Sequence, residues 1–200
     1  DNAASLRASI FGGQLDLRPV EDWSVTVQGS TYLNSEQTLT SSLDWAYISH
    51  DFGSDTTIRA GKFQIPILQG VELKRIGFSR LWARPLVPNN GAGGFMYYRG
   101  AELLKHVVQG DGHWDFQLGM GRPYHNLDGQ VNGDNLQVAS ARYSLDNHWI
   151  RASVMRGEYG VISPEGRNIL DSGEVWVASI EGEATVGNSV LNAGYSDARA

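Results

Sequence analysis

The chain has 200 residues, enough for one domain with a sizeable core, and its 16 Lys and Arg against 22 Asp and Glu leave a formal charge of −6. That balance excludes the basic surplus of a nucleic-acid binder. The absence of Cys excludes disulfide scaffolds, thiolate zinc sites and thiol catalysis together. Six Pro are too few for a collagen-like or Pro-rich disordered chain, while 24 Gly exceed the usual share of about 7%. No stretch approaches the roughly 18 consecutive apolar residues of a membrane-spanning helix.

Taken in chain order, period-two alternation predicts strand after strand. The first, over 5–17, has a phase slip at Gly12-Gly13. In the second, 22–33, Trp23, Val25, Val27, Gly29, Thr31 and Leu33 alternate with Ser24, Thr26, Gln28, Ser30 and Tyr32. Leu39, Leu43, Trp45 and Tyr47 then alternate with Thr40, Ser42, Asp44 and Ala46. Strands over 56–65 and 95–108 follow. Next, Trp114, Phe116, Leu118 and Met120 oppose Asp115, Gln117, Gly119 and Gly121. After strands over 136–145 and 149–157, Trp176, Ala178, Ile180 and Val186 oppose Val175, Val177, Ser179, Glu181 and Glu183. A last strand covers 190–196. No window has a helical period of useful length, so the expected fold is all-β, an antiparallel meander of about ten strands.

The connections add a second pattern. Short ones fall at Arg18–Asp22, Asp51–Asp55, Gln109–Gly112, Leu145–Asn147 and Gly187–Asn188, and long ones at Pro66–Gly94, Arg122–Asn135 and Gly157–Gly173. The link near Asn34–Gln37 is brief where the scheme asks for a long one. Tight turns alternating with long loops are the wiring of a transmembrane β-barrel. Trp23, Trp114 and Trp149 each open a strand directly after a short turn, and Trp45 and Tyr47 precede another. Together they predict one ring of aromatics at the level of a bilayer interface. A face of Ser24, Thr26, Gln28 and Ser30 cannot form a dry core; it meets bulk solvent in a sandwich or lines a channel in a barrel.

Between 58 and 108 the sequence resembles the Gram-negative outer-membrane porins. Ile58-Arg59-Ala60-Gly61-Lys62-Phe63-Gln64-Ile65-Pro66 looks like the strand that enters their constriction loop. Trp82-Ala83-Arg84-Pro85 and Tyr98-Arg99-Gly100-Ala101-Glu102-Leu103-Leu104 look like that loop's exit and the next strand. The resemblance implies part of a barrel of roughly 16–18 strands in the outer membrane, in contact with its lipid and lipopolysaccharide. It also implies a homotrimer that passes small hydrophilic solutes passively. Residues 1–200 are expected to form one barrel domain, incomplete at both ends, since the strands are few and the last residue is Ala200 where such porins carry an aromatic.

The segment 66–94 holds Lys74, Arg75, Arg80 and Arg84 against Glu72. Folded into a lumen it forms a basic constriction, whose fixed charges select permeants by sign. Asp44, Arg59, Arg99, Glu102, Asp115, Arg142 and Arg151 are expected on the pore wall. No catalytic residue, metal site or cofactor is expected. The five His lack metal-ligand spacing, and HExxH, GxSxG and GxxxxGK[ST] are all missing. Two rival readings stand beside the channel: a soluble β-sandwich or jelly-roll module binding carbohydrate through exposed aromatics, and an outer-membrane barrel hydrolase. In the sandwich the apolar faces point inward; in the barrel they point outward.

Overall fold

The computed structural model describes residues 10–33, 38–67, 97–124, 130–162, 168–187 and 189–199. They form ten strands: β1 (Ile10–Val20), β2 (Trp23–Leu33), β3 (Leu39–Asp51), β4 (Thr56–Gln64), β5 (Tyr97–Gln109), β6 (Gly112–Tyr124), β7 (Gln130–Leu145), β8 (His148–Ile162), β9 (Asn168–Val186) and β10 (Ser189–Arg199). One sheet holds them in chain order, each antiparallel to the next. The all-β antiparallel meander read from the alternation is therefore the fold, and no helix occurs among the described residues.

Turn chemistry sets the registers. Gly110-Asp111 closes the β5–β6 hairpin between paired Gln109 and Gly112. Asp146-Asn147 closes β7–β8 between Leu145 and His148. Gly110 and Asp146 have φ of 61° and 50°, the positive φ that two-residue hairpins need at their first central position to match strand twist.

Three expectations about the connections and registers are corrected. Most of Arg122–Asn135 and Gly157–Gly173 is strand, not loop: β6 runs to Tyr124, β7 starts at Gln130, β8 ends at Ile162 and β9 starts at Asn168. Ladder hydrogen bonds continue wherever two backbones stay paired, even after the side-chain alternation has faded. At 16, 15 and 19 residues, β7, β8 and β9 exceed the roughly 9–11 residues that cross a bilayer. The slip expected at Gly12-Gly13 is also absent. β1 keeps one register from Ile10 to Leu17, and the shift falls between Leu17 and Val20.

The sheet is strongly curled. Immediately after β4 the chain reaches across to β9, where the Ser179 hydroxyl donates to the Ile67 carbonyl. Five strand spacings measured along a sheet amount to about 24 Å, whereas three residues from Gln64 to Ile67 span at most about 10 Å. Only a concave sheet brings the two together. Ile65 and Ile67 pack there with Phe63, Tyr98, Leu136, Val138, Met155 and Val177, drawn from β4, β5, β7, β8 and β9. Glycines assist the bend. Gly61, Gly100 and Gly121 are aligned across β4, β5 and β6, and a Cβ at Gly100 would run into the Met120 carbonyl.

The two faces are inverted relative to a soluble protein. On the convex face Leu15, Leu17, Trp23, Val27, Ile48, Ile58, Leu103, Phe116, Leu118, Ile150, Val154, Trp176, Ile180, Leu191 and Tyr195 are all exposed. The concave face buries Thr26, Ser30, Ser49, Glu102, Ser144, Ser153, Ser179 and Glu181. A sandwich has the opposite arrangement.

Candidate functional site

The concave wall is organised in rows, because residues paired across an antiparallel ladder point to the same side. One row starts at Arg59 on β4, which pairs with Glu102 on β5 and, beyond it, Gly119 on β6. Arg59 Nε donates to Glu102 Oε2, and the Tyr98 hydroxyl and Gln117 Nε2 (3.0 Å) donate to Oε1. The Glu102 side chain is fully buried. Three donors satisfy a carboxylate that would otherwise be costly to bury. The Arg59 guanidinium lies 5.1 Å from the ring centroids of both Tyr47 and Phe63, within cation–π range. Gly119 gives Tyr98 its room, since a Cβ there would strike the Tyr98 hydroxyl and the Val138 side chain.

A second row lies nearer the short turns: His106 on β5, Asp115 on β6, Arg142 on β7, Arg151 on β8 and Glu181 on β9. His106 Nδ1 is 2.7 Å from Asp115 Oδ1, and His113 Nε2 is 3.6 Å from Oδ2. Arg151 Nε donates to Glu181 Oε1 at 2.6 Å. Arg142 makes no ion pair among the described residues. Its guanidinium lies 4.8 Å from the Trp149 ring centroid, and its Nε is buried without a hydrogen-bond partner. A polar recess of about 310 Å³ opens here, lined by Thr57, His106, Asp115, Ser140, Arg142 and Arg151 among others.

Of the expected wall residues, Arg59, Glu102, Asp115, Arg142 and Arg151 thus share the concave face. Asp44 is buried at the level where β3 and β4 part, and Tyr97 Oη approaches its Oδ1 at 3.5 Å. Arg99 is a correction. Tyr98 and Glu102 point into the concavity, so alternation turns Arg99 to the convex side, in register with Lys62 and Arg122.

The aromatic ring is corrected in part. Trp23 and Trp114 face outward as expected: Trp23 shares its face with exposed Val27, and Trp114 stacks on exposed Phe116 with centroids 5.7 Å apart. Trp45 pairs with Gln28 and Tyr47 with Thr26, which puts both on the polar face. A bulge is the cause. Gln28 pairs with Trp45 but Gly29 pairs with Leu43, so Asp44 is the extra residue that resets the alternation. Trp149 pairs with buried Ser144 and stacks under Arg142, also on the concave side. Glu72, Lys74, Arg75, Arg80 and Arg84 lie outside the described residues; the chain is described only as far as Ile67 as it turns into the concavity.

Sequence reasoning missed Tyr98, Gln117 and Trp149 as wall residues. The signal for Tyr98 was present, because Tyr98, Gly100 and Glu102 are successive same-face positions of one strand.

No family model and no curated protein matches the chain. Among solved structures it is similar to OmpTdeltaL8, a loop L8 deletion mutant of OmpT, an outer membrane protein of Vibrio cholerae. The identity is 12% and the TM-score 0.44, over 94% of this chain and 72% of that one. That description names no activity, so the expectation that the chain lacks enzymatic activity has no support here and is withdrawn.

Proposed function

We propose that this chain forms part of the wall of an outer-membrane porin, a passive diffusion channel for small hydrophilic solutes. The observation that carries the reading is the inversion of the two faces: apolar side chains are exposed on the convex side of a ten-stranded sheet, while carboxylates, arginines and hydroxyls gather on the concave side. A sheet crossing hydrocarbon must pair every backbone group, so in this reading further strands join β1 and β10 to close a larger barrel. In this reading Lys74, Arg75, Arg80 and Arg84 of the segment 66–94 supply a basic constriction. The wall supports a polar lumen without a strong charge of its own, because Arg59 and Arg151 are each neutralised by a glutamate.

The test is a comparison of extraction and transport. Membranes are extracted with and without detergent, and the purified full-length chain is reconstituted into liposomes for swelling assays with small sugars. Detergent-dependent extraction and size-limited swelling are expected. A folded monomer in a detergent-free soluble fraction overturns the reading.

A further inference from the structure

Arg142 is the anomaly of the concave wall. Every neighbouring charge in the recess has a partner: Asp115 has His106 and His113, Glu181 has Arg151, and Asp55 has Lys105. Among the described residues Arg142 has only the Trp149 face, and its buried Nε has no acceptor. Its direct cross-strand neighbours are Asp115 on β6, whose two oxygens are approached by His106 and His113, and another cation, Arg151, on β8. Like charges placed opposite each other destabilise a sheet, and a buried guanidinium nitrogen without an acceptor adds to the cost. Beside them the Ser144 and Ser153 hydroxyls are also buried without hydrogen-bond partners, although a Ser can donate or accept. Arg142 and Arg151 line the open polar recess, Ser144 and Ser153 flank the pair on either side along β7 and β8, and Arg142 Nε has no acceptor among the described residues.

We propose that Arg142, assisted by Arg151 and the flanking serines, is a binding station for an oxyanion group, carboxylate or phosphate, carried by the permeating solute. The planar guanidinium presents paired N–H groups that match either oxyanion, and an anion between Arg142 and Arg151 relieves their repulsion. Trp149 holds the Arg142 plane by stacking. The station lies in a row on the short-turn side of Ser179, the residue that donates to the Ile67 carbonyl. It deepens the channel reading and rests on it for the identity of the solute, but binding itself can be measured without conduction.

The experiment titrates the full chain, folded in detergent, with inorganic phosphate and separately with succinate, at millimolar concentrations and constant ionic strength, following tryptophan emission. A saturable change is expected with at least one probe, and the tighter probe identifies the oxyanion. The change should be lost in Trp149→Phe. In Arg142→Gln the half-saturation should rise about tenfold or more, and in Arg142→Lys by a smaller factor, since the charge survives without the fork. Arg122→Gln on the convex side should bind as the native chain does. No saturable change with either probe, or equal half-saturation in native chain and Arg142→Gln, overturns the station. Channel conductance is recorded in parallel. Binding without conductance leaves the station standing and fails the channel, whereas conductance without binding does the reverse.

Discussion

Glu102 concentrates the polar order of the wall in one side chain. It is fully buried, yet Arg59, Tyr98 and Gln117 all donate to it. Removing the acceptor strands a guanidinium and a buried phenol at once, and breaking such a pair costs about 3–5 kcal/mol. Glu102→Ala should lower the unfolding free energy by that order, and Glu102→Gln by less because an acceptor oxygen remains. Urea titration in lipid vesicles measures both, and an Ala variant as stable as the native chain contradicts the assignment. The two faces give a second residue-scale expectation. Val27 is exposed on the convex side, and Gln28 pairs with Trp45 on the other. Arg at Val27 should cost roughly 2–4 kcal/mol at the bilayer midplane, whereas Arg at Gln28 should be tolerated. Equal effects at the two sites would mean that the faces are not divided between lipid and water.

At the scale of the strand, alternation was legible wherever one register persisted. β2, β6 and β9 carry the faces their sequences announced, because nothing interrupts the period between Trp23 and Thr31, Trp114 and Met120, or Trp176 and Ala184. It failed where the backbone inserted a residue. Leu43, Trp45 and Tyr47 look like one apolar face, but the bulge at Asp44 leaves Leu43 outside and carries Trp45 and Tyr47 inside, and side-chain polarity alone does not mark a bulge. Trp149 failed for another reason: an aromatic after a turn fits a membrane interface, yet stacking under an arginine satisfies it equally well. The short turns were readable from Asp and Gly, and the β3–β4 turn carries a pH expectation. The Lys105 ammonium (2.7 Å) and then the Thr56 hydroxyl (3.1 Å) donate to Asp55 and hold its carboxyl below the ordinary value of 3.8. A depressed folded value means that its contribution is complete above the unfolded carboxyl range of about 3.9 and is lost as pH falls through the lower folded value. In an NMR titration of the detergent-folded chain, the Asp55 midpoint should lie below 3.8, and Lys105→Gln should raise it. A native midpoint at or above the ordinary value contradicts the contact.

At the scale of the whole molecule, the meander and the inversion of its faces followed from strand periodicity, whereas the electrical character of the concavity did not. The sequence places Arg59, Arg99, Arg142 and Arg151 on the wall with Asp44, Glu102 and Asp115, without saying which of them pair. The folded wall sets Glu102 against Arg59 and Glu181 against Arg151, because ladder register places opposite charges side by side, and register is invisible to a count. Arg99 leaves the concavity altogether. On the described wall Arg142 is in register with Asp115 yet forms no ion pair with it. The selectivity of the proposed channel then depends on the segment 66–94, which counts four cations and one acid, Glu72. Charges elsewhere on a chain of net −6 count little, since screening removes exposed charges beyond about 8 Å at physiological salt, while a constriction keeps its own charges within that distance of an ion. The reversal potential of the reconstituted full-length channel in a salt gradient should accordingly be anion-selective. Arg80→Gln combined with Arg84→Gln should move it toward zero, and Arg142→Gln should move it less, because it removes one cation where the double replacement removes two. A cation-selective potential that the double replacement leaves unchanged removes the basic constriction. A potential that responds to Arg142 alone places the selective field on the wall.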